Sequence, residues 1–300
     1  FRPTPCCLES GSTSLSPTLV AQTVNRSEAI TRPLFEDKMG VELEIYNQFS
    51  GKKGIWPLIG HAEYYSIKQK ISKISLFNPI GISASKIVKK EIAITLNDQI
   101  EIADHLASAI HLLHTAGYIH GDLKQDNVLF LLKPYVTAGF IDFGFTFKPS
   151  ETHALPFPME EGYYGSIWFT APELYGDKNF KGDLFKVETW ALGVLLHYLF
   201  RGPPSWIALF PQSWKNGALE KKVTSQQQID MFNKIRTGVE DKRKQLLSIK
   251  NRSVSSEYML LIYDMMRLDP QLRLDSLAIT KRVSELKERL VAEQMNTLSI

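Results

Sequence analysis

Cysteine is nearly absent from this 300-residue chain: there are two, Cys6 and Cys7, side by side. Adjacent thiols cannot staple distant parts of a fold, and no Cys-x-x-Cys or Cys/His spacing suggests zinc. Long apolar runs are lacking as well. The longest, Trp190 to Phe200, falls short of the ~20 residues that cross a bilayer, and His197 interrupts it. Phe1 to Pro5 shows no basic stretch followed by an apolar one, so no secretory signal is read there. Charge of one sign is missing too, with 35 Lys+Arg against 32 Asp+Glu and a formal net charge of +3. Such a balance does not suit a strongly electrostatic nucleic-acid binder. Hydrophobic residues at 44% and charged ones at 22% exclude a disordered or collagen-like chain. What remains is a globular protein of a reducing compartment, expected in the cytoplasm, using neither membrane nor nucleic acid. Roughly 250–300 residues is near the limit of a single core, so two lobes or two close domains are expected.

The chain divides by pattern. Ser10 to Thr18 is rich in small hydroxyl residues and reads either as a flexible arm or as a turn over a nucleotide. Leu19 to Val24 reads as a short strand. Phe35 to Phe49 follows as a helix, with Val41, Ile45 and Phe49 spaced by four. Gly51, Gly54 and Pro57 break it, and Ile55 to Ile59 resumes a strand-like run. Two strands and a connection are expected between Tyr64 and Lys90, their register open. Asn97 to Ala116 is an amphipathic helix through Ile102, Leu106, Ala109 and Leu113, with Asn97 read as its N-cap and Gly117 as its C′ residue. Val128 to Leu132 and Ala138 to Ile141 read as strands. From Leu174 onward the pattern is helical, and Leu184 to Phe200, apolar nearly all round, should be buried. Ser276 to Ile300 carries a stripe of Ile279, Val283, Leu286 and Leu290, read as docking on a core because heptads are not sustained. Strands early and helices late give an α+β fold with a small β-rich lobe and a larger helical lobe. The expected division is 1–80 for the first, with 1–18 as an arm, and 81–300 for the second.

The chemistry sits in Tyr118-Ile-His-Gly-Asp-Leu-Lys-Gln-Asp-Asn-Val-Leu-Phe130, followed by Ile141-Asp-Phe-Gly144. Phosphoryl transfer needs a carboxylate to accept the proton of the attacking hydroxyl and oxygen ligands for metals that neutralise developing phosphate charge. Asp122 stands five residues before Asn127 on a tight loop between a helix end and a strand, and Asp142 ends the neighbouring strand. Three oxygen donors can therefore meet in one cleft. These residues resemble the catalytic loop and magnesium motif of the protein kinase superfamily. Gly165-Ser-Ile-Trp-Phe-Thr-Ala-Pro-Glu173 is similar to the end of a kinase activation segment, Val187-Glu-Thr-Trp-Ala-Leu-Gly193 to the start of the central helix, and Asp269-Pro-Gln-Leu-Arg273 to the late arginine motif. The resemblance runs from about Phe35 to Leu290. It implies a two-lobed kinase fold, ATP and Mg2+ as cofactors and a protein substrate. It makes Asp122 the base, Lys124 the γ-phosphate contact, Asn127 and Asp142 the metal ligands, and Gly144 part of the nucleotide site. It also pairs Glu173 with Arg273. Lys124 and the hydroxyl of Ser166 resemble the serine/threonine class.

Three departures stand out. Gly121 replaces the arginine that usually reads a phosphate on the activation segment, so Asp142 to Glu173 is expected to be held by packing, by a regulatory protein partner, or not at all. Thr152, Tyr163 and Tyr164 are available hydroxyls, but the usual phosphate switch is not implied. Glu188 replaces an aspartate whose carboxylate accepts backbone N–H groups of the catalytic loop. The third departure is in the small lobe: Glu42 resembles the helix glutamate, with Glu44 as the other choice, yet Thr23 falls where its lysine partner belongs. Lys38 is one turn from Glu42 on the same helix; Arg26, Lys68, Lys70 or Lys73 could substitute. Ser10 to Ser14 is a degenerate glycine loop with one glycine. Two readings follow: an ATP-dependent serine/threonine protein kinase, or a pseudokinase that binds nucleotide or partners without turnover. A kinase-fold enzyme that transfers another group, such as adenylate, is a third. The region holding Trp206, Trp214 and Glu240 to Lys244 reads either as a solvated helical face or as a partner contact. Divergent kinase domains also occur among bacterial effectors, so the resemblance allows delivery into a host cytoplasm.

Overall fold

The computed structural model describes residues 19–25, 36–66, 71–149, 167–174, 182–205, 207 and 225–298. Strands β1 (Leu19–Asn25), β3 (Gly60–Ser66) and β4 (Ile71–Pro79) form an antiparallel sheet in the order β1-β4-β3. β4 is the central strand, with Thr23 opposite Ser75 and Gly60 opposite Phe77. Between β1 and β3 the chain builds helix α1 (Glu36–Phe49). Its inner stripe repeats at helical spacing: Glu42, Ile45, Tyr46 and Phe49 are all buried.

A second sheet joins β2 (Gly54–Ile55), β5 (Ile82–Ser83), β6 (Val128–Leu131) and β7 (Thr137–Phe140) in the order β2-β7-β6-β5. The expected strand over Ile55 to Ile59 shrinks to Gly54–Ile55. Pro57 has no N–H for a ladder, and Asn78 Nδ2 donates to the Pro57 carbonyl at 2.8 Å. After β4 the chain crosses to the helical part through β5 and the short helix α2 (Ser85–Val88). Trp56 Nε1 fastens this passage by donating to the Pro79 carbonyl at 2.9 Å.

The helical part is organised around α3 (Leu96–Thr115) and α4 (Leu184–Arg201). The cap of α3 is Thr95 rather than Asn97. The Asp98 N–H donates to the Thr95 hydroxyl at 3.2 Å, and the Thr95 N–H returns to Asp98 Oδ2 at 2.8 Å, a reciprocal box that Asn97 cannot make. Gly117 takes φ +80 just beyond the helix, as the C′ reading expects. Ile102, Leu106, Ala109 and Leu113 are all buried, and so is Trp190 near the middle of α4. Further along lie α5 (Ser225–Ile235), a π-helical segment Arg236–Asp241, α6 (Lys242–Leu247), α7 (Val254–Met265) and α8 (Ser276–Leu298). The stripe of α8 is buried, and the helix docks against α3. Lys287 Nζ reaches Asp104 at 2.6 Å and Glu101 at 2.9 Å across that seam. No helix among the described residues is long and apolar enough to cross a membrane. A small sheet with one helix, followed by a helical lobe, is the α+β architecture expected from the sequence.

Candidate active site

The catalytic string folds into a loop because it must leave α3 and enter β6 within a dozen residues. A bridge between Ile119 and Phe147 holds its start, with N–H···O distances of 2.8 and 3.0 Å. The Gly121 N–H donates to Glu188 Oε1 at 2.9 Å, so the carboxylate on α4 does accept from this loop. The extra methylene of glutamate is put to use: Oε2 meets His114 Nε2 at 2.9 Å. Burial opposes the charge on Glu188, but the hydrogen bond and charge of His114, the His120 charge and the Gly121 N–H outweigh it and hold the carboxyl below its ordinary value. His114 was not singled out in the sequence, since a histidine on an amphipathic helix carries no motif.

Gly121 has φ +81, and a Cβ built there would lie 2.5 Å from the Phe145 carbonyl oxygen. The position thus favours glycine on conformational and steric grounds together. Asp122 is 3% exposed. Its Oδ2 accepts from Lys124 Nζ at 2.5 Å and from Asn127 Nδ2 at 3.0 Å, while Asn127 Nδ2 also donates to the Asp122 carbonyl at 2.9 Å. A 3-10 turn, Gln125–Asn127, presents the asparagine. Lys124 remains 29% exposed along its side chain, so its ammonium touches both the carboxylate and solvent.

The Ile141 N–H donates to the Asn127 carbonyl at 2.9 Å, setting Asp142 next to this loop. Asp142 does not end the strand as expected; β7 stops at Phe140, and Asp142 lies two residues on with φ +63. A non-glycine residue there is uncommon and marks a site where the surroundings hold the strain. A Cβ at Gly144 would sit 3.3 Å from Asp142 Oδ1 and 3.8 Å from Glu42 Oε2, so both carboxylates border the space that this glycine leaves open. Phe143 is fully buried, with Tyr46 of α1 and His120 each 5.1 Å away by ring centroid. Tyr46, edge-on, and His120, tilted, both pack against Phe143. Tyr46 stands four residues after Glu42, and that shared face was the available sequence signal.

Glu42 is 2% exposed, and Oε1 accepts from the Phe143 N–H at 3.1 Å. No cation pairs with it among the described residues. Burial, then the neighbouring Asp142 charge, push its carboxyl up to about 7, against the Phe143 hydrogen bond. Glu44, the other choice, accepts instead from the Tyr118 hydroxyl. Thr23 lies on β1, Lys38 on α1 and Lys73 on β4, but only their backbones are described. Arg26, Lys68, Lys70, Ser10 to Ser14, Ser166, Thr152, Tyr163 and Tyr164 lie outside the described residues, as do Cys6, Cys7, Trp206 and Trp214.

Glu173 and Arg273 meet as expected, in a two-pronged pair at 2.5 and 2.7 Å, with the arginine side chain fully buried. Arg273 also donates to the carbonyls of Arg267 at 2.6 Å and Lys186 at 3.1 Å. Residues 20–283 match the protein kinase domain family. The chain belongs to that family. Among curated relatives of this kinase chain is MAP kinase-activated protein kinase 2 of Drosophila melanogaster, 28% identical over 187 residues, 62% of the chain and 45% of the relative. The human protein of that name is 30% identical over 113 residues, covering 37% of the chain and 26% of its own length. Testis-specific serine/threonine-protein kinase 5 of Mus musculus is 31% identical over 97 residues, 32% of the chain and 24% of the relative. The chain spans less than half the length of these relatives.

The donor set suits a magnesium nucleotide in part. Asn127 and Asp142 offer hard oxygen ligands, and no cluster of three or more His, Cys, Asp or Glu competes as a dedicated metal cage among the described residues. Magnesium held by one or two side chains plus substrate phosphates fits that pattern. The phosphate clamp that a lysine on Glu42 would form has no counterpart among the described residues.

Proposed function

We propose that the chain is an ATP-dependent serine/threonine protein kinase that transfers the γ-phosphate to protein hydroxyls. The observation that carries this reading is the Asp122, Lys124 and Asn127 constellation beside Asp142. Asp122 is the proton acceptor: the Asn127 amide and Lys124 ammonium fix the direction of its carboxylate. Lys124 is the cation for the transferring phosphoryl group, held within reach of the base yet open to solvent. Asn127 Oδ1, which takes no donor from the described residues, and the Asp142 carboxylate are the proposed ligands of Mg2+. The metal, when bound, neutralises phosphate charge. Gly144 leaves room beside Asp142, and Glu42 holds the Phe143 backbone N–H, which keeps Asp142 turned toward the loop.

The division into lobes at 1–80 and 81–300 is part of this reading, supported by the end of the three-stranded sheet at Pro79. The two described ends of the segment from Asp142 to Glu173 are tied to the helical lobe, by the Ile119–Phe147 bridge and by Glu173–Arg273. Ordering without a phosphate or by a regulatory partner agrees with glycine at 121. The relatives' names support the serine/threonine class, and a cytoplasmic site of action, in the source cell or a host, completes the proposal.

The second reading, a pseudokinase, is favoured by one observation: the buried Glu42 carboxylate without a described cation. The test is incubation of the whole chain with ATP, Mg2+ and a mixed serine, threonine and tyrosine peptide library, reading product mass. Phosphoryl transfer to serine or threonine, abolished in Asp142→Ala, supports the kinase. Magnesium-dependent nucleotide binding with no transfer supports the pseudokinase, and an adenylylated product overturns both.

A further inference from the structure

A cleft of about 580 Å³ opens on the helical lobe where the end of α4, the π-helical segment, α6 and α7 meet, apart from the catalytic loop. Its volume lies within the ~300–1,000 Å³ usual for small-molecule sites. Two layers line it. The floor is apolar and buried, made by Met259 and Tyr263 of α7, with half-buried Leu246 of α6 beside them. The rim carries nitrogen: Arg201 at the end of α4, Lys242 at the start of α6, and the ring of His197 between floor and rim.

No carboxylate lines the cleft. The acids on the adjoining elements are engaged elsewhere, apart from Asp241, which is exposed at the end of the π-helical segment and does not line the cleft. Glu240 accepts from Arg267 at 2.9 Å, Asp264 is held by Arg243 and Arg282, and Glu257 by Arg252 at 2.6 Å. Arg201 spends Nε on the Met259 sulfur at 3.4 Å, a weak acceptor, and one Nη on the Ser255 hydroxyl at 3.1 Å. Neither Arg201 nor Lys242 has a carboxylate partner among the described residues. His197 Nδ1 lies 2.9 Å from the Gly202 carbonyl, which can only accept, so Nδ1 carries the proton and Nε2 is the other polar atom of the ring. Two uncompensated cations over an apolar floor are complementary to a ligand with an anionic head and a hydrophobic body.

The geometry points to this cleft as a binding site for a small anionic amphipath, a phosphate or carboxylate head between Arg201 and Lys242 with an aryl or alkyl body against Met259 and Tyr263. The site lies on α4, α6 and α7 and needs neither the nucleotide site nor turnover, so it stands whether or not the proposed kinase activity does. The charged run Glu240 to Lys244 then has three separate tasks. Glu240 and Arg243 fasten the lobe together through Arg267 and Asp264, and Lys242 faces the cleft.

The test uses the whole chain, with phenyl phosphate and phenylacetate as probes, benzyl alcohol as an uncharged comparison and inorganic phosphate as a head without a body. Binding is read from the Met259 methyl and His197 ring NMR signals. Both anions are expected to shift these signals saturably, and whichever binds more tightly identifies the head group. Lys242→Glu, at an exposed position that should not disturb folding, is expected to weaken them by about tenfold or more, with Arg201→Gln acting in the same direction. Equal affinity in wild type and both variants overturns the assignment, as does absence of any shift. Benzyl alcohol binding as tightly as the anions would remove the charged rim from the account, and inorganic phosphate binding as tightly as phenyl phosphate would remove the floor; either result overturns the ligand class.

Discussion

Asp122 receives the Lys124 ammonium and the Asn127 amide on one and the same oxygen. Asp122→Asn keeps the shape but removes the proposed proton acceptor, so kcat should fall by ~10²–10⁴-fold with the KM for ATP unchanged, measured by steady-state phosphotransfer. Glu42 makes the opposite case, a carboxylate that no cation pairs among the described residues but whose hydrogen bond is needed. Glu42→Gln retains an acceptor for the Phe143 N–H and removes the buried charge, so its melting temperature at pH 8 without magnesium should equal or exceed that of wild type. Glu42→Ala leaves that N–H unsatisfied and should cost about 1–3 kcal/mol by urea unfolding. At Gly121, alanine would have to adopt φ +81 with its Cβ against the Phe145 carbonyl, a cost of about 1–2 kcal/mol or more in the same measurement. That Asp122, Lys124 and Asn127 meet was legible in the sequence because they are close together in the chain and chemically unusual as a group. The Tyr46–Phe143–His120 contact was not, because its members come from three separate segments and each reads alone as ordinary core.

Among the elements, the Glu173–Arg273 clamp joins a 3-10 turn to the loop after α7, 100 positions apart in sequence. Both partners were legible because each stands inside a motif; as lone charges they would have read as surface residues. The two ends of the clamp are not equal. Arg273 is fully buried and bonds several backbone carbonyls besides Glu173, so Arg273→Met should cost about 3–5 kcal/mol by urea unfolding. Glu173→Gln leaves the arginine its carbonyl partners and should cost less. Equal costs for the two would contradict this description of the clamp. The α3 cap was misread in the sequence for a related reason: Thr95 and Asn97 are both good caps, and only the reciprocal bond with Asp98 decides between them. In the small sheet the register was open because β1, β3 and β4 lack a clear alternation. Their pairing is set by the sheet as a whole.

Across the molecule, two buried carboxyls, Glu188 and Asp104, are held below their ordinary values by partners on other elements. Glu188 on α4 leans on His114 of α3. Asp104 of α3, although burial opposes its charge, is held below its ordinary value by Lys287 of α8 and Lys53. A carboxyl with a lowered folded value stabilises the fold above its unfolded value and loses that contribution as pH falls through the folded one. Stability to urea should therefore decline as pH drops below the ordinary carboxylate range, and Lys287→Met should flatten part of that decline by releasing Asp104. The α8 stripe was legible from its spacing, whereas its partner α3 was not, since periodicity marks a face without naming what covers it. The central claim is that Asp122, Lys124, Asn127 and Asp142 form a working phosphotransfer site although no described lysine pairs with Glu42. Its most direct test is γ-phosphate transfer from ATP to serine peptides by wild type and Asp122→Asn side by side, with magnesium present. Transfer by wild type that falls at least ~10²-fold in the variant is the expected result. No transfer by wild type that nevertheless binds the nucleotide, or equal transfer by both, would contradict it.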